Sequence, residues 1–218
     1  MRTRAPPPRD GAILRSVKSD DPARRRALRS AAARLFREVG YAGATVRDIA
    51  RAVGIQSGSI FYYYGTKEDI LVDVMDEGLA RFVRAAERPI GVVSDPRERL
   101  RAMIVGHLEA LHGRSDEVAV VLSEWRSLSA RSRRRIVKQR DRVDAMWDEA
   151  LGAAAQAGLV GGDTKLLRLA LLGAMNWSLQ WYTPRGRLTI EAMADRLLAL
   201  VLREPARRTR RPAGGAGR

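Results

Sequence analysis

A short segment with three adjacent tyrosines is the strongest candidate for specific chemistry in this chain. The stretch GIQSGSIFYYYGTKEDIL runs from residue 54 to residue 71 and holds Tyr62, Tyr63 and Tyr64 side by side. Neighbouring residues of a helix point about 100° apart, so the three rings cannot all face one core. At least one of them must meet something other than the protein's own interior.

A helix drawn over residues 57–64 has two distinct faces. Ile60 and Tyr64 fall together and are expected to pack against the preceding helices. The outward face combines small residues with aromatics: Gly58, Ser59, Phe61, Tyr62 and Tyr63. Small residues let a helix approach base edges closely, while tyrosine offers a hydroxyl to phosphate and a ring to thymine methyl groups. We therefore expect Tyr64 in the core and Tyr62 and Tyr63 on DNA, the alternative being that they cover a helix junction or a subunit contact.

The composition predicts an all-α protein. Alternating β-branched runs are rare, and Arg, Ala and Leu are the most frequent of the 218 residues. The absence of cysteine excludes disulfides, Cys-ligated metals and thiol nucleophiles, and it fits a cytoplasmic location. No apolar run approaches a membrane span of about 20 residues, and the first residues lack the long apolar segment of a signal peptide.

Positive charge is the second indication of a polyanionic partner. The chain carries a formal net charge of +15, supplied mainly by arginine. Residues 22–71 contain nine basic and four acidic side chains, so one compact unit has a surplus of five positive charges. The last stretch, ARRTRRPAGGAGR, holds five arginines and no acid and is typical of a disordered basic tail over residues 206–218. Residues 1–20 are likewise predicted to form a flexible tail.

Helix signals along the rest of the chain place these residues on defined elements. Caps and apolar spacing predict a helix from Pro22 that ends at Gly40, a short one after Thr45, a third over 57–64, and a fourth from Thr66 to about Glu87. Longer helices follow over roughly 96–112, 115–125, 130–157, 164–182 and 190–203. The short pair around Gly54 has the helix-turn-helix pattern, which predicts a DNA-binding domain over 21–71 and a second domain over 72–205.

The segment from Arg25 to Glu77 resembles the DNA-binding domain of the TetR family of bacterial regulators. The residues that carry the resemblance extend over some fifty positions: Ala32, Leu35, Phe36, Gly40, Tyr41, Thr45, Val46, Ile49, Ala50, Gly54, Ser59, Ile60, Tyr62, Tyr64, Lys67 and Leu71. The resemblance implies an all-helical homodimer with three N-terminal DNA-binding helices and about six more helices that form a ligand pocket and a dimer interface.

The resemblance also implies roles for individual residues. Thr45 would contact phosphate through its hydroxyl and backbone N–H at a helix N-terminus. The residues expected in the major groove are Ser57, Gly58, Ser59 and Tyr62, and those expected on the DNA backbone are Tyr63 and Lys67. Phe61 stands where the family often has tyrosine, and Arg47 is the candidate to replace the missing phosphate contact.

The C-terminal half, with EWRSL and GAMNWSLQWYTPRG, resembles a subgroup that includes regulators of fatty-acid and steroid breakdown, several of which respond to acyl-CoA thioesters. An acyl group needs an apolar cavity, and CoA phosphates need arginines. The candidate ligand-binding residues are Trp125, Met146, Trp147, Met175, Trp177 and Trp181 as walls, Asn176 as a polar contact, and Arg126, Arg131, Arg134 and Arg135 for phosphate. The alternatives are that these apolar residues form an ordinary core and that the arginines form a solvated helix face.

The helices predicted over 164–182 and 190–203 are apolar on more than one side. We expect them to pair across a two-fold axis as a four-helix bundle. The resemblance, together with the continuity of residues 66–87 between the two halves, further implies a mechanism. Effector binding would move the helix that follows Thr66 and change the spacing of the two recognition helices, the helices predicted over 57–64 in each subunit.

Two other classes of protein were weighed. An enzyme would need a nucleophile with its base or a set of metal ligands; the carboxylates are scattered, and His107 and His112 are expected to be surface or structural residues. We therefore expect neither catalysis, nor a metal, nor a cofactor. A non-specific DNA-coating protein would bind through basic termini alone, and within the TetR resemblance the alternative is an efflux regulator that senses a hydrophobic drug.

Overall fold

The computed structural model describes residues 21–203, and all regular secondary structure within them is helical, as predicted. Residues 21–203 contain eight α-helices: α1 (Pro22–Gly43), α2 (Val46–Ala52), α3 (Lys67–Ile90), α4 (Pro96–His112), α5 (Asp116–Ser123), α6 (Ala130–Gln156), α7 (Thr164–Trp177) and α8 (Ile190–Val201). Short 3₁₀ helices cover Ser57–Tyr62, Trp125–Ser127 and Ser178–Gln180. The two predicted tails, residues 1–20 and 206–218, lie outside the described residues.

Side-chain caps begin the helices at the positions that the sequence indicates. Asp21 accepts hydrogen bonds from the N–H groups of Ala23 and Arg24, and Thr66 forms a capping box with Asp69. Because such caps satisfy N–H groups that have no partner within the helix, they fix where each helix starts. The same kind of cap is made by Thr45, Asp95, Ser115, Ser129, Asp163 and Thr189.

Gly40 breaks α1 close to its end. Its φ of 74° lies in the left-handed region, and the helix continues beyond it only after a kink. The predicted end at Gly40 is therefore the position where the chain turns. This turn directs the chain toward α2, which packs against α1 and the 3₁₀ segment.

Helix α3 connects the two halves of the molecule. It packs on α1 in the N-terminal unit and against α4, α5 and α6 in the C-terminal unit. Gly78 permits the close crossing of α3 and α5, because a Cβ there would lie 2.6 Å from the carbonyl oxygen of Glu117. This close approach sets the position of α5 over the middle of α3.

The last helices are shorter than predicted. Helix α7 ends at Trp177 rather than near Tyr182, because the chain tightens into the 3₁₀ turn that starts at Ser178. The Ser178 hydroxyl donates to the carbonyl oxygen of Met175 at 2.6 Å and stabilises this ending. Helix α7 packs on α6, and α8 packs on α4.

Candidate DNA-binding surface and effector cavity

The predicted third helix is a 3₁₀ helix over Ser57–Tyr62 rather than an α-helix over 57–64. The Tyr63 N–H donates to the Ile60 carbonyl at 2.8 Å, which is the shorter i to i+3 bond. A segment this short gains too few bonds to favour the α form, and no side chain caps its start. The prediction of an α-helix was wrong at this point.

The two faces of this segment nevertheless lie where the helical spacing of residues 57–64 predicts them. Ile60 and Tyr64 are 1% and 3% exposed, whereas Phe61 and Tyr62 are 58% and 73% exposed. Gly58 is also exposed, and Ser57, Ser59 and Tyr63 are half-buried. A surface of small residues followed by aromatic rings is thus open to a partner.

Tyr64 fastens this segment to the two long helices of the N-terminal unit. Its hydroxyl donates to Asp73 Oδ2 at 2.6 Å, and Arg25 Nε lies 3.3 Å from the same oxygen. The Arg25 guanidinium also lies 5.1 Å from the centre of the Tyr64 ring. Burial, together with the Asp73 carboxylate, raises the pKa of Tyr64 well above its ordinary value. The tyrosine therefore acts as a neutral, buried link between α1, α3 and the exposed surface.

The polar groups of Thr45 form hydrogen bonds at the start of α2. Its hydroxyl and its N–H both donate to Asp48 Oδ2, at 2.6 and 3.2 Å, and its oxygen accepts from the Asp48 N–H at 3.2 Å. The hydrogen bond from the Thr45 hydroxyl is the main reason that the pKa of Asp48 is lowered. A phosphate contact by Thr45 remains a prediction, and it requires these bonds to be shared or exchanged. Arg47, next in the chain, is exposed.

Lys67 holds the end of α1. Its Nζ donates to the carbonyl oxygens of Tyr41 and Ala44 at 2.7 and 2.8 Å and lies 4.2 Å from the centre of the Tyr41 ring. An ammonium group has three N–H donors, so one remains for a DNA phosphate. Lys67 is predicted to contact the DNA backbone. It also makes hydrogen bonds within the protein, which the sequence did not reveal.

A cavity of about 120 Å³ lies in the C-terminal unit between α3, α4, α5, α6 and α7. Its walls are mainly apolar: Leu79, Phe82, Val121, Leu122, Val143 and Leu172. Four polar side chains also line it, namely His107, Asn176, Arg140 and Asp144. A concave apolar site with a few polar groups is the usual form of a small-molecule site.

His107 is a buried member of this cavity, and not a surface residue. Its Nε2 lies 3.2 Å from Asn176 Oδ1, and its ring lies 4.7 Å from that of Phe82 and 6.0 Å from that of Trp147. Burial lowers the pKa of His107 to about 4, so the imidazole is neutral near pH 7. Helical spacing from Met103 on the buried face of α4 is the signal that could have placed it there.

The predicted ligand-binding residues fall into three places. Asn176 lines the cavity; Trp147 and Met175 are fully buried core residues; Trp125 and Met146 are half-buried. Trp177 and Trp181 lie outside the cavity, 66% and 52% exposed. Trp177 lies on the exposed side of α7, opposite the buried Leu171 and Met175, and Trp181 lies beyond the end of α7, so neither ring forms a wall of the cavity.

The predicted phosphate-binding arginines are at the surface of the segment that precedes and begins α6. Arg126, Arg131 and Arg134 are exposed, while Arg135 donates to Asp76 Oδ2 at 2.6 Å. Sequence reasoning missed Arg140, which lines the cavity and lies 5.6 Å from the centre of the Trp125 ring. Its helical spacing from Ile136 and Val143, both buried, was the available signal.

Among residues 21–203, no cluster of three or more His, Cys, Asp or Glu side chains could hold a metal ion. Over the same residues, every helix is either too short or too polar to span a membrane.

A helix-turn-helix at one end and a lined cavity at the other define a DNA-binding regulator with a ligand-binding domain. The chain belongs to the TetR family of bacterial regulatory proteins. The family's N-terminal model matches residues 28–74, and a tetracyclin repressor-like C-terminal domain matches residues 93–204.

Three known proteins illustrate the similarity. The HTH-type transcriptional repressor KstR2 of Mycobacterium tuberculosis is 31% identical over 183 residues, which cover 82% of this chain and 91% of that protein. The crystal structure of PfiT, described as a superantigen, has a TM-score of 0.77 and 38% identity and covers 85% of this chain and 100% of that one. The structure of AibR in complex with isovaleryl coenzyme A and operator DNA has a TM-score of 0.74 and 29% identity, over 82% of this chain and 97% of that one.

Proposed function

We propose that this protein is a homodimeric, cytoplasmic repressor that binds a palindromic operator and is released from it by an acyl-CoA thioester. The observation that carries the proposal is the position of the cavity. Leu79 and Phe82, which line it, lie on the same helix as Lys67, which holds the DNA-binding unit. Residues 21–71 would bind DNA, and residues 72–205 would bind the effector and the second subunit.

The exposed side of the 3₁₀ helix Ser57–Tyr62, called the recognition segment below, supports contact with DNA. Gly58 leaves room for base edges, Tyr62 offers a ring and a hydroxyl, and Arg47 supplies an exposed cation nearby. Ser57 and Ser59 would enter the major groove beside them, with Tyr63 and Lys67 on the backbone. Two such surfaces related by a two-fold axis would read two half-sites of a palindrome.

An apolar face on α7 supports a dimer. Leu166, Leu169 and Trp177 are 63%, 54% and 66% exposed and share one side of the helix with Gly173. The opposite side, with Leu171 and Met175, is buried against the rest of the subunit. An apolar stripe of this kind is stabilised when a second subunit covers it. On α8, Leu200 is 80% exposed and would extend the same interface.

The cavity and the arginines beside it support an acyl-CoA effector. Apolar walls suit an acyl group, while Arg133 and Arg140, both close to the Trp125 ring, are available for phosphate. Arg134 and Lys138 lie with Arg133 along a surface groove of about 520 Å³ at the start of α6. The complex of AibR with isovaleryl coenzyme A gives a precedent in a similar protein.

The proposed switch is a movement of α3. An effector that enters beside Leu79 and Phe82 would displace the helix, and Lys67 and Tyr64 would carry the shift to the recognition segment. Arg168 gives a second connection, because its Nη1 lies 2.7 Å from Asp144 of the cavity and it belongs to α7 of the proposed interface. Both routes would change the separation of the two recognition segments in the dimer.

DNase footprinting of the full-length protein on the DNA upstream of its own gene tests the proposal. At fixed moderate salt, we expect the protein to protect a palindrome. A short acyl-CoA should remove this protection, and free CoA should not. A footprint that hydrophobic drugs remove and no thioester disturbs would favour an efflux regulator. Binding without a preferred site that fades steeply with salt would contradict the repressor and leave a non-specific DNA-coating protein.

A further inference from the structure

The polar pair formed by His107 and Asn176 gives the cavity a defined chemical preference. Both residues line the cavity, and they come from α4 and α7, two helices that meet at this point. The 3.2 Å contact joins His107 Nε2 to Asn176 Oδ1. Within the described residues, no other side chain donates to or accepts from either group at hydrogen-bond distance.

The contact fixes which hydrogen-bond groups are left over. In this orientation of the Asn176 amide, Oδ1 faces the imidazole ring and accepts, so His107 Nε2 carries the hydrogen and donates it. Neutral imidazole has one N–H, which this bond uses. The Asn176 amide then keeps both hydrogens of Nδ2 as donors for another group, and the ring contacts with Phe82 and Trp147 keep His107 in this orientation.

A carbonyl oxygen is the ligand group that completes this arrangement. An entirely hydrocarbon ligand would cover the Nδ2 donors without replacing the hydrogen bonds that they make to water, and a buried unsatisfied donor is costly. A carbonyl accepts from Nδ2, while the walls around it, such as Leu79 and Val143, suit the attached hydrocarbon. The volume sets the length of that hydrocarbon: about 120 Å³ is well below the roughly 300 Å³ at which pockets for drug-sized ligands begin.

We propose that Asn176 donates to the thioester carbonyl oxygen of a short-chain acyl-CoA and that His107 is the positioning residue that orients its amide. This inference rests on the proposed acyl-CoA effector and adds the chain-length class and the group that is recognised. The cavity thereby excludes long acyl chains by its size. It also disfavours ligands without a carbonyl, because they would leave the Nδ2 donors of Asn176 without an acceptor.

Calorimetric titration of the full-length protein with butyryl-CoA and with S-butyl-CoA, a thioether that lacks only the carbonyl oxygen, tests this pair. We expect the thioester to bind at least about fivefold more tightly, since loss of the acceptor leaves a buried donor unpaired. Palmitoyl-CoA should bind more weakly than butyryl-CoA. This comparison uses the unaltered protein, so it does not depend on whether a variant folds.

Substitutions then assign the preference to the two residues. Asn176→Leu keeps the approximate shape without the donors and should bind thioester and thioether equally. His107→Gln keeps a donor for Asn176 Oδ1 and should retain the preference, whereas His107→Phe should reduce it while leaving thioether affinity nearly unchanged. If His107 has only a structural role, His107→Phe would reduce the affinity for the thioester and for the thioether equally. That result would overturn the positioning role.

The outcomes separate this inference from the function on which it rests. Equal binding of butyryl-CoA and S-butyl-CoA by the unaltered protein would overturn carbonyl recognition and leave a CoA effector in place. Tighter binding of palmitoyl-CoA would overturn the chain-length class. Failure of every CoA compound to bind would overturn both the inference and the proposed effector.

Discussion

The Glu124 carboxylate accepts a hydrogen bond from the backbone N–H of Tyr41, with 3.1 Å between Oε1 and N. Glu124 directly follows α5, which contributes Val121 and Leu122 to the cavity, and Tyr41 directly follows the kink at Gly40. The second carboxylate oxygen accepts from the Ser127 hydroxyl at 2.6 Å. One side chain therefore joins the cavity wall to the DNA-binding unit without passing through α3.

Substitution of Glu124 should weaken the coupling between effector and operator. Glu124→Ala removes the acceptor for the Tyr41 N–H, and a hydrogen bond contributes about 1 kcal/mol, so the effector-induced drop in operator affinity should shrink about fivefold. Fluorescence anisotropy of labelled operator, with and without butyryl-CoA, measures this drop. Glu124→Gln keeps an acceptor and is the matched control. Equal coupling in the Ala variant and the unaltered protein would show that Glu124 carries none of it.

Substitution of Tyr62 should affect operator binding, whereas substitution of Tyr64 should affect the stability of the fold. Tyr62→Ala should weaken operator binding by about 1–3 kcal/mol and leave the melting temperature unchanged, because the side chain is exposed. Tyr64→Phe should lower the free energy of unfolding by about 1–3 kcal/mol, since Asp73 loses its hydroxyl partner. Operator anisotropy and urea denaturation of both variants check this. A loss of stability in Tyr62→Ala would place that ring in the fold rather than on DNA.

A charge on the exposed face of α7 should disrupt the dimer. Leu169→Glu would place a carboxylate in the proposed interface, where burial without a partner is costly. Sedimentation velocity at a fixed protein concentration should then show a monomer, or a much weakened dimer, for this variant alone. Val92→Glu is the control, because Val92 is 85% exposed and lies beyond the end of α3. A Leu169→Glu protein that stays as dimeric as the control would exclude this face.

His107 should make stability fall as the pH is lowered. Its folded-state pKa of about 4 lies below the ordinary value of 6.5, so between these values the unfolded chain binds the proton more strongly. The contribution of neutral His107 to the free energy of unfolding is therefore fully present above about pH 6.5 and is lost as the pH falls toward 4. At about pH 5 the loss is about 2 kcal/mol. Urea denaturation at about pH 7.5 and about pH 5 should show this loss, and His107→Gln should remove it. An unchanged pH dependence in His107→Gln would mean that other groups cause it.

Local signals were sufficient to predict most of the helices. Asp21, Thr45, Thr66 and Asp163 each mark a helix start because a cap depends only on residues within a few positions. The inward side of the recognition segment also followed from spacing alone, since Ile60 and Tyr64 are four residues apart in either helical form.

The cavity could not be predicted in the same way, because it depends on which helices meet in space. His107 and Asn176 are distant in sequence, and only the packing of α4 beside α7 brings them together. Trp177 has the composition of a pocket residue, yet the direction in which its helix faces leaves it exposed. Lys67 shows the same limit, since its bond to the Tyr41 carbonyl depends on the turn at Gly40.

The central claim is that effector binding changes the separation of the two recognition segments in the dimer. The chain contains no cysteine, so Glu38→Cys on the exposed side of α1 gives one unique spin-label site in each subunit. Electron paramagnetic resonance distance measurements would compare the operator-bound dimer with the dimer saturated with butyryl-CoA. We predict two different distances, because α1 and the recognition segment belong to one packed unit and would move together. The same distance distribution in both states would contradict the account.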